Sequence, residues 1–264
     1  MIKILDKSIC QDCKIFSCSF LRTSLTRHDF CKLTSETTVC PTQILTDGPY
    51  ESAYTTGVID KDASSKKVCI GCGLCVKNCA YSNLVFSEDS FNIDTDLFAQ
   101  LTEPQLKAVV TSYLGFLFAF SANTNRNRAL QFDGFISSES ENRAFVEIDW
   151  NNDSLECSRR LLGDILTYRS AVNINEGLIV LRDIPSLGSR DIYNVLEKIK
   201  AFPTTSNISI YITSIPILRW LALHSTKTSF NLSEIGYNPL SDTKESYLIR
   251  LNEYFGPENK ISNI

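Results

Sequence analysis

The sequence lacks the features that mark membrane and secreted proteins. No apolar run reaches the roughly 18–20 residues that a helix needs to cross a bilayer. The longest candidate, residues 109–120, is shorter and is interrupted by Thr111, Ser112 and Gly115. The N-terminus has no long apolar stretch followed by a small-residue cleavage site, so no signal peptide is predicted. We therefore expect a cytoplasmic protein without a membrane partner.

Other absences exclude several kinds of chemistry. The chain has two histidines, His28 and His224, and both are isolated from other candidate functional residues. No P-loop, dinucleotide-binding fingerprint or Ser/His/Asp signature is present. The 26 Lys and Arg residues are outnumbered by 30 Asp and Glu, which gives a formal net charge of −4. Bulk charge therefore does not indicate nucleic-acid binding, and any DNA contact would need a local basic patch.

Cysteine is abundant and unevenly distributed. Nine of the ten cysteines lie between residues 10 and 79, and only Cys157 lies beyond them. Because cytosolic proteins rarely keep structural disulfides, clustered cysteines in such a chain indicate a metal site. We expect two domains, one over residues 1–95 that carries the cysteines and one over residues 100–264. The 43% hydrophobic content is sufficient for packed cores.

The second part of the chain predicts alternating helices and strands. Thr102, Pro104 and Gln105 form a helix-start signal, so a buried helix is expected from there to about Ser121. Later segments predict a hairpin from strands at 129–136 and 144–150, helices at 154–171 and 191–201, and strands at 177–181 and 208–213. This order predicts an α+β or α/β fold whose central sheet is mixed, with some strands parallel.

The strongest motif lies at residues 69–79, which read Cys-Ile-Gly-Cys-Gly-Leu-Cys-Val-Lys-Asn-Cys. This C-x2-C-x2-C-x3-C spacing is typical of bacterial iron–sulfur proteins, in which the fourth cysteine binds the other of two clusters. The small residues Gly71 and Gly73 would let backbone N–H groups approach the sulfides. The alternative is a zinc site, but zinc sites usually pair two cysteines with two remote ligands.

Residues 1–95 resemble the bacterial two-[4Fe-4S] ferredoxins. The resemblance rests on this cysteine run, on Cys40-Pro41, and on the short strand expected between them. It implies one cluster held by Cys40, Cys69, Cys72 and Cys75, and a second held by Cys10, Cys13, Cys18 and Cys79. The chain departs from the family at two places. Glu36 occupies the position four residues before Cys40, and Ala80 replaces the usual proline. Cys31 is either a spare cysteine or a substitute for Cys18.

A second constellation consists of three carboxylates on the expected hairpin. Asp133 lies on the first strand, and Glu147 and Asp149 are two residues apart, so they share one face of the second strand. Apolar neighbours predict that this strand is largely buried. Buried carboxylates on adjacent strands repel each other, so they need a cation. Mg²⁺ is suited to this role because it prefers hard oxygen ligands. Alternatively, the acids lie on the surface and Asp133-Gly134 is only a turn.

Residues 102–220 resemble the core of type II restriction endonucleases of the PD-(D/E)xK superfamily. The resemblance rests on the element order, on residues 146–152 (Val-Glu-Ile-Asp-Trp-Asn-Asn), and on the apolar strand after Glu176. It implies that Asp133 and Glu147 bind Mg²⁺, and that Asn152 positions water or a phosphate. Asp149 stands where the family usually has lysine, and there it could bind or orient the attacking water through the metal.

The resemblance also implies a function and partners. The expected protein is a Mg²⁺-dependent endonuclease of a restriction or anti-phage type that acts on double-stranded DNA as a homodimer. Four arginines are candidates for phosphate contacts: Arg126, Arg128, Arg159 and Arg160. The iron–sulfur domain would be structural, redox-sensing or part of DNA recognition.

Two alternative functions stay open at this point. The chain could be an electron-transfer protein or a redox-enzyme subunit with its own redox partner, since two clusters suit that role. It could also be a nuclease fold that binds DNA without cutting it, which the missing lysine favours.

Overall fold

The computed structural model describes residues 2–6, 8–9, 58–59, 69–86, 98–99, 101–122, 132–137, 143–149, 160, 163, 174–182, 207–227, 230–238 and 241–255. The chain divides into two compact units, Met1–Ser112 and Tyr113–Ile264. Its architecture is α+β, with a mixed five-stranded sheet and a small antiparallel sheet. Each unit is described by itself.

The first unit contains a three-stranded antiparallel sheet. Its strands are β1 (Ile2–Ile4), β2 (Val58–Ile59) and β3 (Leu84–Phe86), in the order β2-β1-β3. Strand β1 alternates as strands with one buried face do, since Ile2 and Ile4 are buried and Lys3 is exposed. A short helix, α1 (Leu74–Lys77), lies between β2 and β3 in the chain.

Helix α2 (Glu103–Leu117) begins where the sequence predicts. The backbone N–H and the hydroxyl of Thr102 both donate 2.9 Å hydrogen bonds to Oε1 of Gln105, which is one half of a capping box. The helix is largely buried, as predicted. It ends at Leu117 rather than near Ser121, because Ser121 belongs to a strand. The division between the two units falls within α2.

The second unit is built on a five-stranded mixed sheet. Its strands are β4 (Ala119–Ala122), β5 (Gly134–Ser137), β6 (Arg143–Asp149), β7 (Glu176–Leu181) and β8 (Ser209–Ser214), and they lie side by side in chain order. Pairs β4-β5 and β5-β6 are antiparallel, whereas β6-β7 and β7-β8 are parallel. The predicted hairpin and the predicted mixed sheet are therefore confirmed.

The two parallel pairs explain why the middle of the sheet is so apolar. Parallel strands need long crossover connections that cover both faces, so their sequences are apolar without alternation. Strand β7 reads Glu-Gly-Leu-Ile-Val-Leu, and every residue after Glu176 is buried. The helices predicted at 154–171 and 191–201 fall mostly outside the described residues, although Arg160 and Gly163 are helical.

Among the residues that the structure describes after the sheet, three helices are present: α3 (Ile215–His224), α4 (Leu232–Ile235) and α5 (Lys244–Phe255). Between α4 and α5, Tyr237 exchanges two backbone hydrogen bonds of 2.8–2.9 Å with Ile212 and so pairs with the outer edge of β8. Arg250 on α5 donates two hydrogen bonds to the carboxylate of Asp242. Among the helices that the structure describes, none combines the length and apolar character needed to cross a membrane.

Candidate functional site

The cysteine run forms a tight loop followed by one helical turn. Gly71 and Gly73 have φ angles of +68° and +75°, in the left-handed region that favours glycine. Gly73 is the N-cap of α1, so the chain turns sharply between Cys72 and Cys75. The two glycines of the motif therefore have a backbone role, and any other residue at either position would be strained.

The four cysteines of the run differ in exposure. Cys72 and Cys75 are buried, whereas Cys69 and Cys79 are half-buried. The backbone N–H of Asn83 donates a 3.3 Å hydrogen bond to Sγ of Cys79. Hydrogen bonds of this kind to ligand sulfurs are a means by which proteins tune iron–sulfur clusters.

Five cysteines of the predicted ligand sets lie outside the described residues: Cys10, Cys13, Cys18, Cys40 and the alternative Cys31. Within the described part of the chain, no three His, Cys, Asp or Glu side chains approach closely enough to hold a metal ion. The donor chemistry fits an iron–sulfur group, because thiolates are its usual ligands and the glycine-rich loop permits close backbone approach. Both predicted cluster sites stay predictions.

The carboxylate hairpin begins with an irregularity at Asp133. Gly134 pairs with Val146 in the ladder, yet the N–H of Asp133 also donates to the Val146 carbonyl at 2.8 Å. Two residues on one strand thus face one residue on the other, which is the pattern of a β-bulge. Oδ2 of Asp133 then accepts a 2.8 Å hydrogen bond from the N–H of Ile148. The carboxylate of Asp133 is therefore fixed against strand β6.

Gly134 is required at this bulge for steric reasons. A Cβ atom at Gly134 would lie 2.4 Å and 2.7 Å from ring atoms of Phe120 and 2.7 Å from the carbonyl oxygen of Ser121. The aromatic ring of Phe120 thus packs directly over the glycine. Gly134 is the first residue of β5, so Asp133 lies immediately before the strand rather than on it as predicted.

Glu147 and Asp149 are buried side chains of β6. Their exposed fractions are 1% and 3%, so the alternative that these two acids lie on the surface is wrong. Being two residues apart on a strand, they share one face of the sheet. Their register partners on β7 are Ile179 and Leu181, which are buried and apolar. Two carboxylates on an apolar face require compensating positive charge.

Arg160 supplies part of this compensation. Its Nε atom lies 3.7 Å from Oε1 of Glu147, and its side chain is 40% exposed. The guanidinium therefore reaches from solvent to the buried carboxylate. The ion pair is compatible with the phosphate contact expected for Arg160.

The remaining predicted residues of this site lie outside the described residues: Asn152, Arg126, Arg128 and Arg159. The carboxylates that the structure describes fit Mg²⁺ by donor type, since Mg²⁺ prefers hard oxygen ligands. Proteins commonly hold Mg²⁺ through one or two carboxylates together with water and substrate phosphates. A site without three converging carboxylates is therefore consistent with this ion.

Several polar residues near the sheet carry no recognisable sequence signal. Ser214, at the end of β8, is fully buried, and its hydroxyl has no hydrogen-bond partner among the described residues. It is the N-cap of α3 but its side chain does not cap the helix. Arg219 on α3 is 1% exposed, and arginine is almost never fully buried unless paired. Only the three-dimensional structure reveals these positions.

A pair of titratable groups lies where β7 and β8 begin. Burial raises the pKa of the Glu176 carboxyl above its ordinary value of 4.5. Burial, and secondly the charge of Glu176, raise the pKa of the Tyr211 phenol. Neither residue lies next to Asp133, Glu147 or Asp149 in sequence, and we assign the pair a structural role.

Comparisons with known proteins supply no family for this chain. No protein-family model, no curated protein and no solved structure matches it.

Proposed function

We propose that this protein is a Mg²⁺-dependent endonuclease that hydrolyses phosphodiester bonds of double-stranded DNA in restriction or anti-phage defence. One observation carries the proposal: Glu147 and Asp149 are buried on one face of a central strand, and Asp133 is hydrogen-bonded to the same strand. Burying two like charges has a large energetic cost, and a sheet with only a structural role gains nothing in return. A site for a cation explains why the charges are there.

Asp133 and Glu147 would hold the metal. When bound, Mg²⁺ stabilises charge that develops on a phosphate and lowers the pKa of a coordinated water. The hydrogen bond from Ile148 fixes the orientation of the Asp133 carboxylate, and metal-binding carboxylates are commonly held in this way by a second partner. The low exposure of Glu147 strengthens its interaction with any cation, because the effective dielectric constant is lower there than in water.

Asp149 would have a different role from the lysine that related sites carry. It cannot supply positive charge, but a carboxylate on the same face as Glu147 can accept a hydrogen bond from the attacking water and orient it. The positive charge would come from Arg160, which already reaches Glu147. Asn152 would help to position the water or a phosphate oxygen.

The DNA partner and the assembly follow from the same proposal. Arg126, Arg128, Arg159 and Arg160 would contact backbone phosphates, which position a duplex without reading its sequence. Two copies of the chain in a symmetric homodimer would cut both strands.

The first unit would carry two [4Fe-4S] clusters, one on Cys69, Cys72, Cys75 and Cys40, and one on Cys79, Cys10, Cys13 and Cys18. The left-handed Gly71 and Gly73 support this proposal because they bend the cysteine run as a cluster loop requires. The clusters would stabilise a small domain, sense redox state or contribute to DNA recognition.

The same cysteine loop favours a second candidate function, electron transfer, in which the sheet would only be a docking platform. Cleavage of unmethylated plasmid and phage DNA separates the candidates. The protein, purified without oxygen, is incubated with Mg²⁺ or with a chelator. Discrete cutting that needs the metal supports the endonuclease. Reversible reduction of the clusters without cutting supports electron transfer, and Mg²⁺-independent DNA binding without cutting supports an inactive nuclease fold.

A further inference from the structure

Asn83 is a buried side chain that connects Cys79 to the segment at residues 5–6. It is 3% exposed and follows Cys79 by four residues. Its backbone N–H donates to Sγ of Cys79 at 3.3 Å. The backbone carbonyl and the side-chain amide of Asn83 bind residues 5–6, near the start of the unit's sequence.

Three hydrogen bonds make this second connection. The backbone carbonyl of Asn83 accepts from the N–H of Leu5 at 2.9 Å. Its side-chain Oδ1 accepts from the N–H of Asp6 at 2.8 Å, and its Nδ2 donates to the carbonyl of Asp6 at 2.7 Å. The amide therefore holds both backbone groups of Asp6, 77 residues away in the chain. Aspartate at position 83 could not reproduce this pattern, because an ionised carboxylate has no donor.

The segment that Asn83 binds directly precedes the first cysteine run in the chain. Asp6 precedes Cys10 by four residues in the chain. Four residues of fully extended chain span about 14 Å at most. Strand β1 pairs with β3 immediately beside this point, with Ile4 opposite Leu84. One residue thus bonds to the sulfur of Cys79 and to the segment that leads into Cys10.

We propose that Asn83 is the positioning residue that brings the first cysteine run and Cys79 together, so that they supply one and the same cluster. This inference rests on the proposed iron–sulfur function. It predicts that the cluster held by Cys79 and the first cysteine run depends on Asn83. The other cluster, held by Cys69, Cys72 and Cys75 with Cys40, does not depend on Asn83. The amide orients the chain, and the cysteines alone bind iron.

The test uses the full chain, purified and reconstituted without oxygen, and compares Asn83→Ala with Asn78→Ala. Asn78 is a matched control: it adjoins Cys79, and its Nδ2 donates a 2.8 Å hydrogen bond, but to the carbonyl of Leu74 within the same loop. Iron and acid-labile sulfide are counted per chain. The reduced proteins are then compared by electron paramagnetic resonance, in which two neighbouring reduced clusters broaden each other's signals.

We expect about eight irons per chain for the wild type and for Asn78→Ala, and about four for Asn83→Ala. The signal that remains in Asn83→Ala should be that of one isolated cluster. About eight irons and an unchanged coupled signal in Asn83→Ala would overturn the inference, and so would equal loss of both clusters, which indicates only general destabilisation. If Asn83→Ala does not fold, Asn83→Asp keeps the size and the acceptor and should show the same selective loss.

Failure of the underlying function would look different. A wild-type protein that binds zinc, or no metal, after reconstitution would contradict the iron–sulfur proposal itself and the inference with it. A wild type with about four irons would contradict the second cluster. A wild type with about eight irons, combined with an Asn83→Ala variant that is unaffected or loses both clusters equally, contradicts the role of Asn83 alone.

Discussion

The N–H of Ile148 donates a 2.8 Å hydrogen bond to the carboxylate of Asp133, the residue just before strand β5. The side chain of Asp133 thus acts as an acceptor for a backbone group of β6. In the proposed site, the same carboxylate would bind Mg²⁺. Under the proposed function, Asp133 would have both a structural and a chemical role, and a suitable pair of variants can separate them.

The Asp133→Asn variant should keep the fold and lose DNA cleavage. Its amide oxygen can still accept the hydrogen bond from Ile148, whereas its charge, needed for the metal, is gone. Asp133→Ala should lower the free energy of unfolding by about 1.5–3 kcal/mol, the usual effect of losing a hydrogen bond to a charged group. Urea denaturation and DNA cleavage measured on both variants check this expectation. Wild-type cleavage by Asp133→Asn would remove Asp133 from the metal site.

Gly134→Ala should destabilise the second unit by about 1–3 kcal/mol, as overpacking typically does. The new Cβ would meet the ring of Phe120 and the carbonyl of Ser121 at distances below 3 Å. Gly115→Ala is the matched control, because a Cβ there meets nothing within 4 Å and Gly115 lies in helix α2. That variant should gain about 0.5–1 kcal/mol from helix propensity. Equal stability of the two variants in denaturant would show that the glycine at the bulge has no steric role.

Arg160→Gln should raise the affinity for divalent metal while it lowers DNA cleavage. The guanidinium lies 3.7 Å from Glu147 and competes with a metal for the same carboxylate. Because Arg160 is 40% exposed, the effect should be small, roughly two- to fivefold in the dissociation constant, as for other solvent-screened ion pairs. Mn²⁺ titration followed by electron paramagnetic resonance measures it. Lys227→Gln, which removes a surface ion pair with Glu234, is the control and should leave the affinity unchanged. Weaker metal binding by Arg160→Gln would contradict the competition.

Glu176→Gln should stabilise the protein at neutral pH and have little effect in acid. Burial raises the pKa of Glu176 above 4.5, so the folded protein favours the protonated carboxyl. Stability from this group is complete below the pKa of the unfolded chain and is lost as the pH rises through the higher folded pKa. Glutamine is neutral at every pH and avoids this loss. The difference in free energy of unfolding between variant and wild type should therefore grow from about pH 4 towards pH 7. A difference that is constant over this range would refute the expectation.

The sequence predicted the elements whose signals are local. The capping pair Thr102 and Gln105 located the start of α2. Apolar residues around Glu147 and Asp149 indicated a buried strand, and both acids are buried. The bulge at Asp133 was not predictable, because it depends on how Gly134 packs against Phe120.

Strand β4 was missed for a related reason. Its sequence, Ala-Phe-Ser-Ala, follows the apolar helix α2 without a glycine or proline to separate them, so it reads as a continuation of the helix. Pairing with β5 makes it a strand, and strand preference depends strongly on such tertiary context. The role of Asn83 was equally hidden, since its partner Asp6 is 77 residues away. The contact between Arg160 and Glu147 likewise depends on a helix register that no local pattern specifies.

The most direct test of the endonuclease is cleavage of unmethylated DNA with Mg²⁺ by wild type, Glu147→Gln and Glu103→Gln, all purified without oxygen. Glu147 is the buried candidate ligand, whereas Glu103 is a 52% exposed glutamate paired with Lys107 on α2. We predict discrete cutting by wild type and Glu103→Gln, and a rate lower by on the order of a hundredfold or more for Glu147→Gln, because the charge that holds the metal is lost. Equal cutting by all three proteins, or none by the wild type with any divalent metal, would contradict the account.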